Sequence, residues 1–403
     1  MLKMISFEQA IDILAGQPAE PEKEFVPIDD VLGRILAEDM TAVFPMPSFD
    51  KSPFDGFAFR SSDTPGVLEI SGESKTGCQK LERLRAGTAV RIFTGAPVPD
   101  GADVIMKAED TETDGAAIHV RDAMPAGTNV IRRGEIYPAG TLLETAGSRL
   151  TPAAVGVLAS QGYRDIAVFR KPKVLLISTG SELLKPGDSH EEYKIYNSSY
   201  YSLSGYLKLM GFEVVCGGNV PDDLERITHL IADGLAGDAD LVMTTGGASV
   251  GDYDFAVHAA RDLGLETLFW KVNAKPGGAL MAARNDNGKL LISLSGNPAA
   301  AIMSLLVVLQ PYLRRLSGAK LGNVELELPI LSDMPKTSSA VRMLRGHPTI
   351  LGDMTCFEEN QGRENGNIAS FEACSMIGII PGNSGKVSAG TRIRVLKLPD
   401  DLC

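Results

Sequence analysis

A chain of 403 residues, 44% hydrophobic and 22% charged, has enough apolar content for several cores, and at about 100–200 residues per domain it implies two to four domains. Its formal net charge of −12 argues against a large nucleic-acid surface, which needs clustered Lys and Arg, so neither nucleic acid nor a membrane is an expected partner. The five cysteines are scattered without a C-x-x-C pair, and the five histidines form no H-E-x-x-H, which points away from disulfide frameworks and zinc hydrolases and toward a reduced, cytoplasmic protein.

The start, MLKMISFEQAIDIL, lacks the long apolar core of a signal peptide. Within it FEQAIDILAG repeats its apolar positions at Phe7, Ile11 and Leu14, predicting a helix, and VLGRILAEDM predicts a second one after a Pro-rich link. The segment PMPSFDKSPFDGFAFR is too rich in Pro, Ser, Asp and Gly to be helical. VLEISG, AVRIFTG, DVIMKAED and AAIHV read as short strands of a small β domain. LTPAAVGVLASQG follows as a helix, with Thr151 as N-cap and Pro152 at the first position.

From Lys173 the pattern changes. KVLLIS, FEVVCGG, ADLVMTTGG and KLLISLSG are apolar runs each followed by a helical pattern, which predicts a parallel sheet with helices on both faces. The last helix, PAAAIMSLLVVLQPYLRRLSG, opens on Asn297 and Pro298, and its interior Pro311 predicts a kink. Its longest apolar stretch, Ala299 to Leu309, is too short for a bilayer and reads as buried. Beyond it, VELELPIL and RIRVLKL alternate as in a small all-β domain.

Open α/β sheets bind ligands outside the carboxyl ends of their strands. Those ends here carry Thr179-Gly180-Ser181-Glu182, Pro221-Asp222-Asp223, TTGGASVGDYDF (Thr244 to Phe255) and Ser295-Gly296-Asn297-Pro298. Each alone reads equally well as a turn or a helix cap; four at one edge argue for a ligand site, because glycines admit close backbone approach and helix N-termini favour anions. TTGGASVG has neither the G-K-[ST] of a P-loop nor the G-x-G-x-x-G of a dinucleotide fold. Glu182, Asp222 and Asp254, with Asp252 as a further candidate, offer hard oxygen ligands for Mg²⁺, and a bridging cation would reconcile an acidic loop with an anionic ligand. The alternative is that Asp252 and Asp254 only cap the following helix. FWKVNAKPGGA sets Lys271 and Lys275 four residues apart on a strand-like segment, where both can reach one anion or simply form a solvated pair.

These segments resemble the MoeA-type molybdopterin molybdenumtransferases, a family that includes the E domain of gephyrin. FDKSPFDGFA resembles its F-D-x-S-x-x-D-G-[YF]-A segment, and RIFTGAPVPDGADVI, NVIRRGE, STGSEL, TTGGASVGDYD, FWKVNAKPGG and SGNP follow in the family's order. The resemblance implies an α/β and β multidomain fold. Its parts are an elongated N-terminal helical and β domain (1–44 with 140–171), a small β domain (45–139), a central parallel α/β molybdopterin-binding domain (172–320) and a C-terminal β-barrel-like domain (321–403). It implies a homodimer with the active site at the subunit interface, a molybdopterin adenylyltransferase as upstream partner, and Mg²⁺-dependent insertion of molybdate into adenylylated molybdopterin with release of AMP. Carried over by residue, it implies that Thr245, Gly246, Gly247, Ser249 and Gly251, with Gly296, Asn297 and Pro298, cradle the pterin's phosphate or nucleotide portion. Glu182, Asp222 and Asp254 would help hold the metal. Asp55 and Thr94 would act from the partner subunit, Lys271 and Lys275 on molybdate or phosphate oxygens, with Arg132 and Arg133 nearby; Ser370 matches a serine of the last domain.

The chain departs from the family at several of these places. Ile136 replaces an Asp, Gly278 and Ala279 replace a Lys and a Pro, Ser295 replaces a Pro, and Lys51 and Ser199 each replace an Asn. A non-catalytic molybdopterin-binding paralogue, or one with altered specificity for tungstate or another nucleotide, is the alternative these changes raise.

Overall fold

The structure, a computed structural model, describes residues 4–77, 82–246, 255–320, 322–334, 338–360 and 367–399. Its contacts divide into two compact units, one of residues 39–145 with 152–164, the other of residues 1–38, 146–151 and 165–403.

In the smaller unit, a six-stranded sheet runs in the order Val104–Lys107, Gly56–Phe59, Thr88–Ile92, Gly66–Ser74, Ala117–Val120, Glu112–Thr113. Phe57, Phe59, Leu68, Val90, Val104 and Ile118 form its core. The Asp-Gly pair of FDGF has a steric reason: a Cβ on Gly56 would come 2.0 Å from the Met106 carbonyl oxygen on the neighbouring strand. The helix Pro152–Ser160 starts on its proline and buries Ala154 and Leu158.

The larger unit opens with α1 (Phe7–Ala15), where Ser6 and Gln9 form a reciprocal capping box. The second helix expected at VLGRILAEDM does not form. Gly33 takes φ 74°, outside the helical region, and Ile35 and Leu36 are buried through bridges to Arg149 and Val168 instead. Its apolar spacing suits a helix, but a glycine turn interrupts it.

Six strands form the central sheet: β1 (Lys173–Thr179), β2 (Glu213–Val220), β3 (Leu241–Thr245), β4 (Glu266–Trp270), β5 (Met281–Arg284) and β6 (Leu290–Leu294). Their order is β2-β1-β3-β6-β5-β4. The first four are parallel, as the sequence predicts, but β5 runs antiparallel to both neighbours. A short turn around Asn285–Gly288 joins β5 to β6, and a hairpin needs no crossover helix to announce it. On one face Val174 and Leu176 pack with Phe7 and Leu14 of α1, Leu203 and Leu207 of α2 (Ser198–Leu209) and the long helix α5 (Pro298–Ser317). On the other, Val242 and Leu291 meet Ile227 and Ile231 of α3 (Leu224–Ala236) and Ala259 of α4 (Phe255–Asp262).

The helix α5 has 20 residues, long and apolar enough to cross a membrane by length and composition, yet 83% of its most apolar stretch is buried inside the protein. It is the core helix of this unit. Ahead of Pro311, residues Ser304–Leu309 widen into a π-helix. Proline lacks the N–H and crowds the carbonyl four residues back, and the wider turn accommodates both. Beyond α5, Val341–Leu351, Met376–Ile380, Arg392–Lys397 and Val324–Pro329 form an antiparallel sheet, with Met354–Glu359 folded back on the first. Ala274–Lys275 joins it in parallel at Val341 and Arg342.

Phe7 is fully buried on the central sheet. Phe7→Ala should therefore cost about 3–5 kcal/mol in urea unfolding, the range for emptying a well-packed aromatic site; a loss below about 1 kcal/mol would remove α1 from the core.

Candidate ligand sites at the carboxyl edge and the Asp55 loop

The parallel strands end level with one another. Ser178 is in register with Thr245, Thr245 with Leu294, and Thr179 with Val220. Thr179 Oγ1 donates to the Thr245 carbonyl at 2.9 Å, and the Gly246 N–H donates to the Leu294 carbonyl at 3.1 Å, so three strand ends are tied together. Gly246 sits at φ 90°, and a Cβ there would lie 2.6 Å from Thr179 Oγ1. Only glycine fits. A Cβ on the exposed Gly296 would touch Gly246 Cα at an ordinary 3.5 Å, so two glycines present bare backbone back to back. The start of α5 adjoins them: Asn297 Oδ1 accepts from the Ala300 N–H at 3.1 Å, and Pro298 takes the first turn. Ser295, one of the departures, also works locally, its Oγ accepting from the Asn297 N–H at 3.2 Å. A helix N-terminus beside bare glycine backbone is suited to an anion.

Carboxylates stand on the two loops beside this edge. Asp223 is spent as the N-cap of α3, accepting from the Arg226 N–H at 3.1 Å. Asp222 is locked to the neighbouring loop: the Ser181 N–H donates to its Oδ2 at 3.3 Å and its own N–H donates to Ser181 Oγ at 3.0 Å. Glu182 is exposed, with its carboxylate folded over Gly180, whose Cβ, if present, would be 2.6 Å from Oε2. Among the described residues no three metal-ligating side chains gather. Mg²⁺ often takes only one or two carboxylates and completes its shell with water and substrate oxygens, so Glu182 and Asp222 fit such an ion. Gly247, Ser249, Gly251, Asp252 and Asp254 lie outside the described residues.

Lys271 and Lys275 occupy a segment held at both ends. The Ile5 N–H donates to the Lys271 carbonyl at 3.2 Å, and Lys275 pairs with Arg342 in the C-terminal sheet. Lys271 adopts φ 76°, and its ammonium lies 4.7 Å from the centre of the Trp270 ring. The turn that follows explains another departure. A Cβ on Gly278 would come within 2.7 Å of the Ala274 carbonyl oxygen and 2.8 Å of that of Val272, so this turn has no room for a lysine. Ser370 is buried and donates to the Asn367 carbonyl at 2.6 Å within its own turn.

The other candidates lie in the smaller unit. Asp55 Oδ1 accepts from both the N–H and the hydroxyl of Thr94, each at 2.7 Å. Those two bonds hold the carboxyl below its ordinary range, the backbone one foremost. Beside it in sequence, Asp50 receives Arg132 Nη1 at 2.8 Å and the Arg133 N–H at 2.7 Å. Asp50, unremarked in the sequence, organises this arginine loop. Arg132 is thereby ion-paired, while Arg133 makes no side-chain ion pair among the described residues. Ile136, on the same loop, is 66% exposed, an apolar side chain where a carboxylate was expected.

Thr94→Val removes the hydroxyl but keeps the N–H, so the Asp55 pKa should rise part of the way to its ordinary 3.8, read by carboxyl NMR titration. Because the folded pKa is depressed, this carboxylate stabilises the fold at neutral pH, and the contribution fades as pH falls below 3.8 through the folded value. An unmoved pKa would deny the Thr94 hydroxyl its role. Gly278→Lys, the change that makes the turn more family-like, should lower Tm by several degrees, as a clash with two carbonyls implies; an unchanged Tm would show that the turn opens freely.

The MoeA N-terminal region (domain I and II) family matches residues 5–162, and a probable molybdopterin binding domain matches residues 175–315. A molybdopterin molybdenumtransferase of Staphylococcus epidermidis is 33% identical over 97% of this chain and 95% of its own length. One of Staphylococcus aureus is 30% identical over 98% and 96%. A crystal structure of a molybdopterin biosynthesis MoeA protein from Pyrococcus horikosii superposes with a TM-score of 0.86 at 27% identity, covering 98% of this chain and 99% of that one. Continuous similarity of this length, in sequence and in fold, identifies the chain as a member of the MoeA-type molybdopterin molybdenumtransferase family, a family of transferases in molybdenum cofactor biosynthesis.

Proposed function

We propose that this protein inserts molybdate into adenylylated molybdopterin in a Mg²⁺-dependent reaction that releases AMP. The observation that carries the reading is the carboxyl edge of the central sheet, where Gly246 and Gly296 leave backbone bare beside the N-terminus of α5. An anionic pterin phosphate would lie against that backbone. Glu182 and Asp222 would hold Mg²⁺, which when bound would polarise phosphate oxygens and neutralise charge. Lys271 and Lys275 would bind the oxyanion by charge. No side-chain nucleophile is required, since positioning and electrostatic stabilisation suffice for transfer at an activated phosphate.

The partner subunit would supply Asp55, Thr94, Arg132 and Arg133. Exposed Phe44, Phe49, Phe54 and Ile136 around this part of the smaller unit support an interface there. We read the protein as a cytoplasmic homodimer that receives its substrate from a molybdopterin adenylyltransferase. A second reading, a molybdopterin-binding paralogue without turnover or with altered specificity, is favoured by one observation: the turn at Gly278 excludes the family's second lysine.

AMP release from adenylylated molybdopterin by the purified protein, with Mg²⁺ and molybdate, separates the two. Release that falls at least tenfold in Asp222→Asn supports the transferase. Tight pterin binding with no release, under molybdate or tungstate, supports the paralogue.

A further inference from the structure

The larger unit holds a cavity of about 490 Å³, lined by the last turns of α5. Arg314 lies seventeen residues along that helix from Asn297, roughly 25 Å at 1.5 Å per residue, so this cavity is remote from the carboxyl edge. Its walls are mostly apolar, with Met210, Phe212, Leu313, Val324 and Leu398 among them. Three cationic side chains also line it, Arg149, Arg314 and Lys397, and among the described residues no carboxylate does.

Arg314 is the unusual group. Its Nε is buried and has no hydrogen-bond partner, and among the described residues its guanidinium makes no ion pair. Burial depresses its pKa, with no carboxylate among the described residues to offset the loss of water. The side chain is also held where it is by a missing one. A Cβ on Gly322 would lie 1.8 Å from Arg314 Nη1, so the glycine makes the space in which the guanidinium rests. An unpaired, partly desolvated cation is costly to keep, and a carboxylate is the group whose geometry matches its planar fork.

We propose that this cavity binds a small amphipathic carboxylate, its apolar body between Phe212, Leu313 and Leu398 and its carboxylate on the fork of Arg314. The volume lies within the roughly 300–1,000 Å³ usual for small-molecule sites, and mostly apolar walls with a few placed polar or charged groups are their usual composition. The inference is independent of the pterin reading, because it uses none of the same residues. A competing source of the same charge lies in the chain itself: Asp400 and Asp401 follow Pro399, which lines the cavity.

Octanoate titrated calorimetrically into the full-length protein, against 1-octanol as the uncharged control, tests this. Octanoate should bind saturably and at least tenfold more tightly than octanol. Arg314→Met should erase that preference by a similar factor, as loss of a charge-assisted pair implies. Its Tm should be equal to or above that of the wild type, since an uncompensated buried charge is removed. Gly322→Ala, which displaces the guanidinium, should weaken octanoate while sparing octanol. Equal affinity for acid and alcohol, or an unchanged preference in Arg314→Met, overturns the proposal. So does octanoate binding that appears only in a chain ending at Pro399, which would make the terminal aspartates the natural anion.

Discussion

The bond from the Thr179 hydroxyl to the Thr245 carbonyl fixes the feature on which the candidate site depends. It ties two parallel strands at their last residues and fills the space beside Gly246, so no side chain can grow there. The strand end must turn in the left-handed region, and only glycine does so without strain. Because β1, β3 and β6 end in register, the loops that follow them open on one line. A fold that levels its strand ends in this way makes a shelf of backbone dipoles, and α5 adds its N-terminus to it.

That shelf is anchored by a helix with little freedom of its own. α5 lies in the larger core, and its π-helical stretch absorbs Pro311 without exposing apolar surface. One end of it borders the glycine shelf and the other the cavity around Arg314. The same helix thus brings two different electrostatic environments into one compact unit: backbone N–H groups at its start, and at its end a guanidinium without a counter-charge among the described residues. The acidic balance of the whole chain makes such local sources of positive potential matter more, since an anion must be met by placed groups rather than by a general field.

Much of this was legible in the sequence where a residue has one physical use. Strand runs such as KVLLIS and KLLISLSG, the Asn297-Pro298 helix start and the glycines at the strand ends were all readable, because burial, capping and positive φ leave few alternatives. What escaped depends on contacts distant in sequence. Asp50 gathers the arginine loop from about eighty residues away, and nothing local in FDKS announces it. The division of labour between Asp222 and Asp223, one locked to Ser181 and one capping α3, is set by the neighbouring strand's loop. VLGRILAEDM misled because apolar spacing cannot register that Gly33 will turn the chain, and β5 was hidden by its hairpin. The departure at Gly278 became interpretable only once the Ala274 and Val272 carbonyls were seen to crowd it.

The central claim is that bare backbone at the carboxyl edge receives the pterin's anionic portion. Gly296→Val tests it most directly, because Gly296 is exposed and its nearest neighbour among the described residues lies at an ordinary contact distance of 3.5 Å, so the fold should tolerate the change. Equilibrium binding of adenylylated molybdopterin should weaken at least tenfold, about 1.4 kcal/mol, while Tm stays within about two degrees of the wild type. Undiminished binding by a well-folded Gly296→Val protein would contradict the account and move the ligand away from this edge.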